Sequence, residues 1–154
     1  MGTSKKFSKI LKVIIYVMMF FLAGMLYIWI GKFMNNNIKG IEFFYNLVLA
    51  GSFLFVLFFA KKIMDSIINN LPFSKENVNY FKYIGYTILF IAFLDLVLNI
   101  QNFTGKLVIS IQPFFAIHFS FLFYLSFGLL SIILSEIFNK AYNLKEETEI
   151  NIKK

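Results

Sequence analysis

The stretch NNLPFSKENVNYFKYIGY, residues 69–86, interrupts two long apolar segments with a proline, a serine and three charged residues. Pro72 ends the preceding helix, because a proline in a helix interior removes a backbone hydrogen bond. Ser74 is a typical N-cap, and Glu76 follows in the first turn, where a carboxylate stabilises the positive end of the helix dipole. The stretch therefore predicts a tight turn between two antiparallel helices.

The composition around this turn is that of a membrane protein. Of 154 residues, 59% are hydrophobic and 15% are charged, whereas a soluble domain is about half apolar and a quarter charged. All fifteen basic residues are lysines, and they cluster at the ends of apolar segments. Lipid headgroups explain such a pattern, so we expect the lipid bilayer as a partner and no direct binding of nucleic acid.

Four apolar segments are each close to the roughly 20 residues needed to cross a bilayer. Because they are apolar on all sides, they favour helices over the alternating strands of a membrane barrel. The sequence predicts a single domain, 1–154, of the all-α class, with four transmembrane helices in an antiparallel bundle. The predicted helices are 8–31, 41–69, 75–101 and 113–143, followed by a cytoplasmic tail, 144–154.

Lysine positions predict the orientation. Twelve lysines lie near the two termini and the central turn, and three lie on the opposite side. The positive-inside rule then places both termini and the turn on the cytoplasmic side of a plasma membrane. A helix over 41–69 would be about 43 Å long, which exceeds the roughly 30 Å of hydrocarbon. We therefore expect helices 2, 3 and 4 to extend into the cytoplasm.

Two segments outside the helices show weak alternation of apolar and polar residues. KLVISIQ, residues 106–112, is typical of a short extended or interfacial segment. INI, residues 150–152, is either a strand that adds to the sheet of a partner or part of a frayed terminus. The sequence favours the frayed terminus.

Asp95 and His118 are the ionisable residues that the predicted helices place within the membrane. Such groups are costly there and need a partner or water. Their depths match in antiparallel helices, so they either form a hydrogen-bonded pair or reach interfacial water separately. A serine such as Ser110 or Ser120 would be needed for a catalytic triad, but no nucleophile-elbow motif is present. With one histidine and no cysteine, we expect no metal site, no cofactor and no enzymatic activity.

Glu136 lies where helix 4 leaves the predicted hydrocarbon. It precedes Lys140 by four residues, the favourable order for an ion pair within a helix. Just before it, Gly128, Ser131 and Ser135 are small residues at a spacing that lets membrane helices approach closely. The site is either a packing seam with a solvated ion pair or a contact surface for a partner.

Two motifs resemble one known family. PFSKENVNYFKYIGY, residues 72–86, and LSEIFNKAYNLKEETEI, residues 134–150, are similar to signatures of the domain of unknown function 2975 family. Thr148 and Asn151 depart from that pattern. The matching residues are Pro72, Phe73, Glu76, Asn77, Ile84, Gly85, Glu136, Glu146 and Glu147. The resemblance implies a small bacterial membrane protein with four helices.

The resemblance also implies a genomic neighbourhood with a small helix-turn-helix regulator. This leads to the expectation of a membrane-bound regulatory partner that sequesters such a DNA-binding regulator in the cytoplasm. The expected contact surface comprises Pro72, Phe73, Glu76, Asn77, Glu136, Lys140, Glu146 and Glu147. The alternatives are an immunity protein against a membrane-active peptide and, ranked last, a transporter or channel subunit. A homo-oligomer is compatible with all three.

Overall fold

The computed structural model describes residues 2–35, 39–99, 108–111 and 115–152. Within these ranges the chain forms α1 (Gly2–Met34), α2 (Gly40–Ile68), α3 (Lys75–Asn99), β1 (Val108–Ile111), β2 (Phe115–His118) and α4 (Phe119–Ile152). All four of these helices are long and apolar enough to cross a membrane. The predicted all-α fold with four transmembrane helices is therefore confirmed.

Successive helices run antiparallel, as the short turn between α2 and α3 requires. Along α1 and α2, Lys12 forms an ion pair with Asp65 at one end, and Phe33 stacks on Phe43 at the other, with ring centroids 4.3 Å apart. Among the described residues, α1 makes its main helix contacts with α2. It therefore lies at one edge of the bundle, as α4 does at the other.

The core follows α3, which lies between α2 and α4. Four of the buried apolar residues belong to α3, namely Val78, Ile84, Ile91 and Ala92. All four helices also expose large apolar side chains, such as Phe20 of α1, Phe93 of α3 and Phe127 of α4. These exposed faces are expected of helices whose solvent is lipid, since lipid tails are as apolar as the side chains themselves.

The helices are longer than the hydrocarbon layer. At 1.5 Å per residue, the 29 residues of α2 span about 43 Å and the 34 residues of α4 about 51 Å. A bilayer core is roughly 30 Å thick. α1 extends beyond the predicted bounds of 8–31 at both ends, and α4 extends beyond the predicted end at residue 143. Helical structure therefore continues past the length needed to span a membrane.

The start of helix 4 was predicted wrongly. Residues 115–118 form β2 and pair antiparallel with β1, with Ile111 opposite Phe115 and Val108 opposite His118. Alternating β-branched and aromatic residues favour this hairpin over another helical turn. It also confirms an extended conformation for 108–111, within the KLVISIQ segment. Residues 100–101 and 113–114, which the predicted helices included, lie outside the described residues.

The tail was also predicted wrongly, because α4 continues to Ile152. The INI segment is thus helical through Ile152, neither frayed nor a strand. No glycine or proline follows Gly128 to end the helix. The segment Leu144–Glu147 contains leucine, lysine and glutamate, which are good helix formers.

Candidate functional site at the α2–α3 turn

The turn is formed by a Schellman motif at the end of α2. The Leu71 amide donates to the Ser66 carbonyl oxygen at 2.9 Å, and the Asn70 amide donates to the Ile67 carbonyl oxygen at 3.1 Å. Asn70 adopts a φ of 62°, a left-handed conformation that asparagine tolerates better than most residues. Pro72 follows directly and prevents continuation of the helix.

The side chain of Asn77 fixes the turn through hydrogen bonds. Its side chain is fully buried, and its amide nitrogen donates to the Pro72 carbonyl oxygen at 2.8 Å and to the Ser66 hydroxyl at 2.9 Å. The Ser66 hydroxyl in turn donates to the Leu71 carbonyl oxygen. Asn77 was expected on the contact surface, but its burial places it beneath that surface, where it fixes the turn.

The start of α3 has the predicted cap. The Asn77 backbone amide donates to the Ser74 hydroxyl at 3.3 Å, and the Val78 amide donates to the Ser74 carbonyl oxygen at the same distance. Glu76 lies in the first turn of the helix. Ser74 therefore satisfies amide groups that the helix leaves unpaired at its N-terminus.

Aromatic packing attaches the turn to α4. The Phe138 ring lies 5.5 Å from the Phe73 ring and 4.9 Å from the Phe81 ring, measured between centroids. Nearby, the Lys82 ammonium lies 3.5 Å from a Glu136 carboxylate oxygen. Glu136 thus pairs with Lys82 of α3, instead of the expected Lys140. An ion pair between two helices fixes their relative position in a way that a pair within one helix does not.

The seam between α3 and α4 is built from small residues, as predicted for Ser131 and Ser135. The Ser135 hydroxyl donates to the Val78 carbonyl oxygen at 2.8 Å, and the Ser131 hydroxyl donates to the Phe81 carbonyl oxygen at 2.9 Å. Both serines are buried. In a membrane, hydroxyl groups that bond across helices replace the contacts that water would otherwise supply.

Further along the same seam, Gly85 and Gly128 bring the two backbones into contact. A methyl group added at Gly85 would lie 3.0 Å from the Gly128 carbonyl oxygen and 2.7 Å from a side-chain carbon of Ile132. A methyl group added at Gly128 would lie 2.8 Å from the Leu89 side chain. This close approach requires glycine at both positions.

At the end of the bundle that carries the turn lies a set of exposed residues that we call the turn surface. It consists of Phe73, Glu76, Glu136, Lys140, Glu146 and Glu147, all of which are exposed. Pro72 is half-buried at its edge. The motif residues therefore fall into two sets, a buried set that fixes the backbone and an exposed set that faces outward at the same end of the bundle.

The opposite end of the bundle contains a second polar cluster. Asp95 is 6% exposed and accepts a hydrogen bond from the Ser120 hydroxyl at 2.6 Å. Tyr45 and Tyr124 lie within electrostatic range of its carboxylate. His118 ends β2, directly before α4, and its side chain lies outside the described part of the structure. The Asp95–His118 pair therefore remains a prediction.

Three partner residues were not assigned from the sequence: Ser66, Lys82 and Ser120. Ser66 lies on the polar side of α2 six residues before Pro72, and this position was the available signal. Ser120 was considered only as a nucleophile, although it follows His118 by two residues. Among the described residues, no group of three or more His, Cys, Asp or Glu side chains is placed to hold a metal ion.

The comparisons with known proteins identify the family. A family model described as a protein of unknown function (DUF2975) matches residues 11–152, which include all the turn, seam and cluster residues described above. No curated protein and no solved structure matches the chain. Since the match covers nearly the whole sequence, the chain belongs to the DUF2975 family.

Proposed function

We propose that this protein is a non-enzymatic membrane anchor that sequesters a cytoplasmic helix-turn-helix transcription regulator at the turn surface. The observation that carries the proposal is the attachment of Phe73, Glu76 and Glu136 of that surface to the rest of the bundle. Asn77, the Phe73–Phe138 contact and the α3–α4 seam hold exposed charges beyond the length of helix needed to cross a bilayer. The genomic neighbourhood that the motif resemblance implies supports the class of partner.

The chemistry of the turn surface fits a DNA-binding partner. Glu76, Glu136, Glu146 and Glu147 are exposed carboxylates, and a surface that binds DNA is basic. Contact with these carboxylates would occupy the same basic groups that bind phosphates, so that membrane binding and DNA binding would exclude each other. The exposed Phe73 ring, 45% accessible, supplies an aromatic anchor of the kind that dominates protein interfaces.

The proposal includes an orientation. We place the protein in the bacterial plasma membrane with both termini and the turn surface in the cytoplasm. Support comes from the distribution of lysines. Lys12, Lys61, Lys62 and Lys82 lie toward the end of the bundle that carries the turn, whereas Lys32 lies near the opposite end of α1.

Co-purification from native membranes in detergent tests the proposal. The wild-type protein should retain a regulator, and the double variant Glu76→Lys/Glu136→Lys should lose it, with a change in transcription of the genes that the regulator controls. Glu42→Lys is the matched control, because Glu42 is an exposed glutamate at the opposite end of α2. If no regulator co-purifies, and transcription is the same in all three strains, the proposal is wrong.

The same strains, together with a deletion strain, distinguish the proposed function from the immunity alternative. That function predicts that deletion sensitises cells to a membrane-active peptide and that the segments on the outer side determine protection. In that case Glu42→Lys would reduce protection, and the double variant at the turn surface would leave it unchanged.

A further inference from the structure

Charge is distributed unevenly at the end of the bundle that carries the turn. On α3 and α4, the charged side chains described at this end are four lysines and four glutamates. On α1 and α2, one aspartate accompanies five lysines, namely Lys6, Lys9, Lys12, Lys61 and Lys62. We call these five lysines the basic edge. Positive charge is therefore in excess on one side of the bundle, and the other side is balanced.

The basic edge lies where α1 and α2 leave the hydrocarbon. Between Lys12 and Lys32, α1 has 19 residues without a charge, and between Glu42 and Lys61, α2 has 18. At 1.5 Å per residue these stretches span about 27–29 Å, close to the roughly 30 Å of a bilayer core. Lys12 and Lys61 are therefore the first charged residues beyond the hydrocarbon on this side, at the depth of the lipid headgroups.

Two lysines of the basic edge lie against aromatic rings. The Lys61 ammonium is 5.2 Å from the centre of the Tyr16 ring, and the Lys62 ammonium is 5.5 Å from the centre of the Phe58 ring. Both rings belong to the uncharged stretches, so these contacts draw the ammonium groups toward the hydrocarbon and away from bulk water. A ring face attracts a cation only weakly, and a charge at this boundary requires a partner or water.

The chain itself supplies little negative charge at this place. α1 contains no acidic residue, and Asp65 is the one acidic residue of α2 on this side of the uncharged stretch. The Asp65 carboxylate forms an ion pair with Lys12. Lys6 and Lys9 are exposed further along α1 and add to the positive charge. An anion that neutralises Lys61 and Lys62 therefore has to come from outside the chain, at the depth of the headgroups.

We propose that the basic edge binds the phosphate group of an anionic phospholipid, with Lys61 and Lys62 as its main contacts. A phospholipid phosphate lies at the required depth, and its acyl chains would lie on exposed apolar side chains of the same helices, such as Phe20 and Phe55. A zwitterionic lipid carries its own cation, which the excess lysines repel, so that a lipid with net negative charge is preferred. The site is separate from the turn surface, which lies on the turn, α3 and α4.

Native mass spectrometry of the detergent-solubilised protein, titrated with equal amounts of phosphatidylglycerol and phosphatidylethanolamine of the same acyl chains, tests the proposal. The wild type should retain phosphatidylglycerol in preference. Each lysine near an anionic lipid contributes a factor of about five in affinity, so Lys61→Gln/Lys62→Gln should lower the ratio of the two bound lipids about 10-fold to 25-fold. Lys32→Gln/Lys39→Gln is the matched control, because it removes two exposed lysines at the opposite ends of the same helices and should leave the ratio unchanged.

Further variants separate charge from folding. Lys61→Arg/Lys62→Arg keeps both charges and should retain the preference. The unfolding midpoint without added lipid shows whether each variant is folded. If the double glutamine variant is unfolded, Lys62→Gln alone takes its place, since Lys62 is exposed and its ring contact lies within α2, and the ratio should then fall about fivefold.

Two competitors distinguish the lipid from other sources of phosphate. An excess of glycerol 3-phosphate should not displace the lipid, and a short DNA duplex should not bind to the basic edge. Displacement by glycerol 3-phosphate, or binding of the duplex by the wild type and not by the glutamine variant, would overturn the proposal. The same conclusion would follow if the glutamine variant kept the wild-type ratio or if the control pair lowered it equally.

Discussion

The interfaces α3–α4 and α1–α2 are built from different kinds of residue. Between α3 and α4, two glycines bring the backbones into contact, and two serine hydroxyls donate to carbonyl oxygens of the facing helix. The glycines Gly24 of α1 and Gly51 of α2, by contrast, have no neighbour within 4 Å of an added methyl group. A cavity of about 220 Å³ lies between α1 and α2, lined among others by Trp29 and Phe53.

The difference shows which kinds of residue bring membrane helices close together. Apolar side chains gain little from burial when lipid is the alternative solvent, so close backbone approach and hydrogen bonds determine the strength of an interface. The α3–α4 pair has both, and it positions the turn surface. The α1–α2 pair relies on larger side chains and on an ion pair at one end. We therefore expect α1 to be the helix that separates most easily.

The largest expected effect is at the glycine seam. Gly85→Ala should lower the free energy of unfolding by about 1–3 kcal/mol, because the added methyl group overlaps Ile132 and the Gly128 carbonyl oxygen. Gly51→Ala should leave it unchanged or raise it by up to about 1 kcal/mol through helix propensity. Unfolding in mixed micelles with increasing denaturing detergent measures both. Equal effects at the two positions would show that the close approach at Gly85 does not determine the stability of the bundle.

The second-largest change in stability is expected at the turn between α2 and α3. Asn77→Ala removes the donor to the Pro72 carbonyl oxygen and the Ser66 hydroxyl, and it should cost about 1–3 kcal/mol. The exposed neighbour Asn79 provides the control, because Asn79→Ala should change stability by less than about 0.5 kcal/mol. Limited proteolysis at the turn measures this locally. If Asn77→Ala leaves the rate of cleavage at the turn unchanged, the Asn77 side chain does not stabilise the turn.

A smaller effect is expected at the hydroxyl groups. Ser135→Ala should lower the free energy of unfolding by about 0.6 kcal/mol, the average for hydrogen bonds between membrane helices, and by at most about 1.7 kcal/mol. Ser126→Ala tests the same change at an exposed position of α4 and should have little effect. The same detergent titration compares the two. A larger loss at Ser126 than at Ser135 would contradict the assigned seam.

The smallest effect is expected between α1 and α2. Lys12 and Asp65 form an ion pair in which each side chain is about one-third exposed. Such pairs contribute about 0.2–1 kcal/mol. A double-mutant cycle with Lys12→Ala and Asp65→Ala should give a coupling energy in that range, decreasing with salt. A coupling energy above that of the Ser135–Val78 contact would reverse the proposed ranking of the interfaces.

Most of the architecture could be predicted from the sequence, for physical reasons. Apolar segments of sufficient length specify membrane helices directly, and Pro72 with Ser74 specifies a turn by local chemistry alone. Local signals failed at the start and the end of α4. The hairpin depends on pairing between residues 108–111 and 115–118, and pairing with another segment is not encoded in either strand by itself.

The partners of the site residues were harder to predict. Glu136 has suitable lysines on both α3 and α4, and helix spacing alone favoured Lys140 over Lys82. Asn77 looks like a surface residue in a polar segment, and its burial results from the end of α2 and the turn, which pack over the start of α3. Asp95 was correctly identified as a residue that needs a partner, but Ser120 was assigned a different role. Each error concerns contacts between elements.

The most direct test concerns the placement of the turn and the end of α4 on one side of the membrane. Single cysteines at Lys75, Glu147 and Lys32, which are all exposed, can be labelled with a maleimide that does not cross membranes. We predict labelling of Lys75→Cys and Glu147→Cys in inverted vesicles, and of Lys32→Cys in intact spheroplasts. Labelling of Lys75→Cys or Glu147→Cys from the outside, or protection of Glu147→Cys from both sides, would contradict the account.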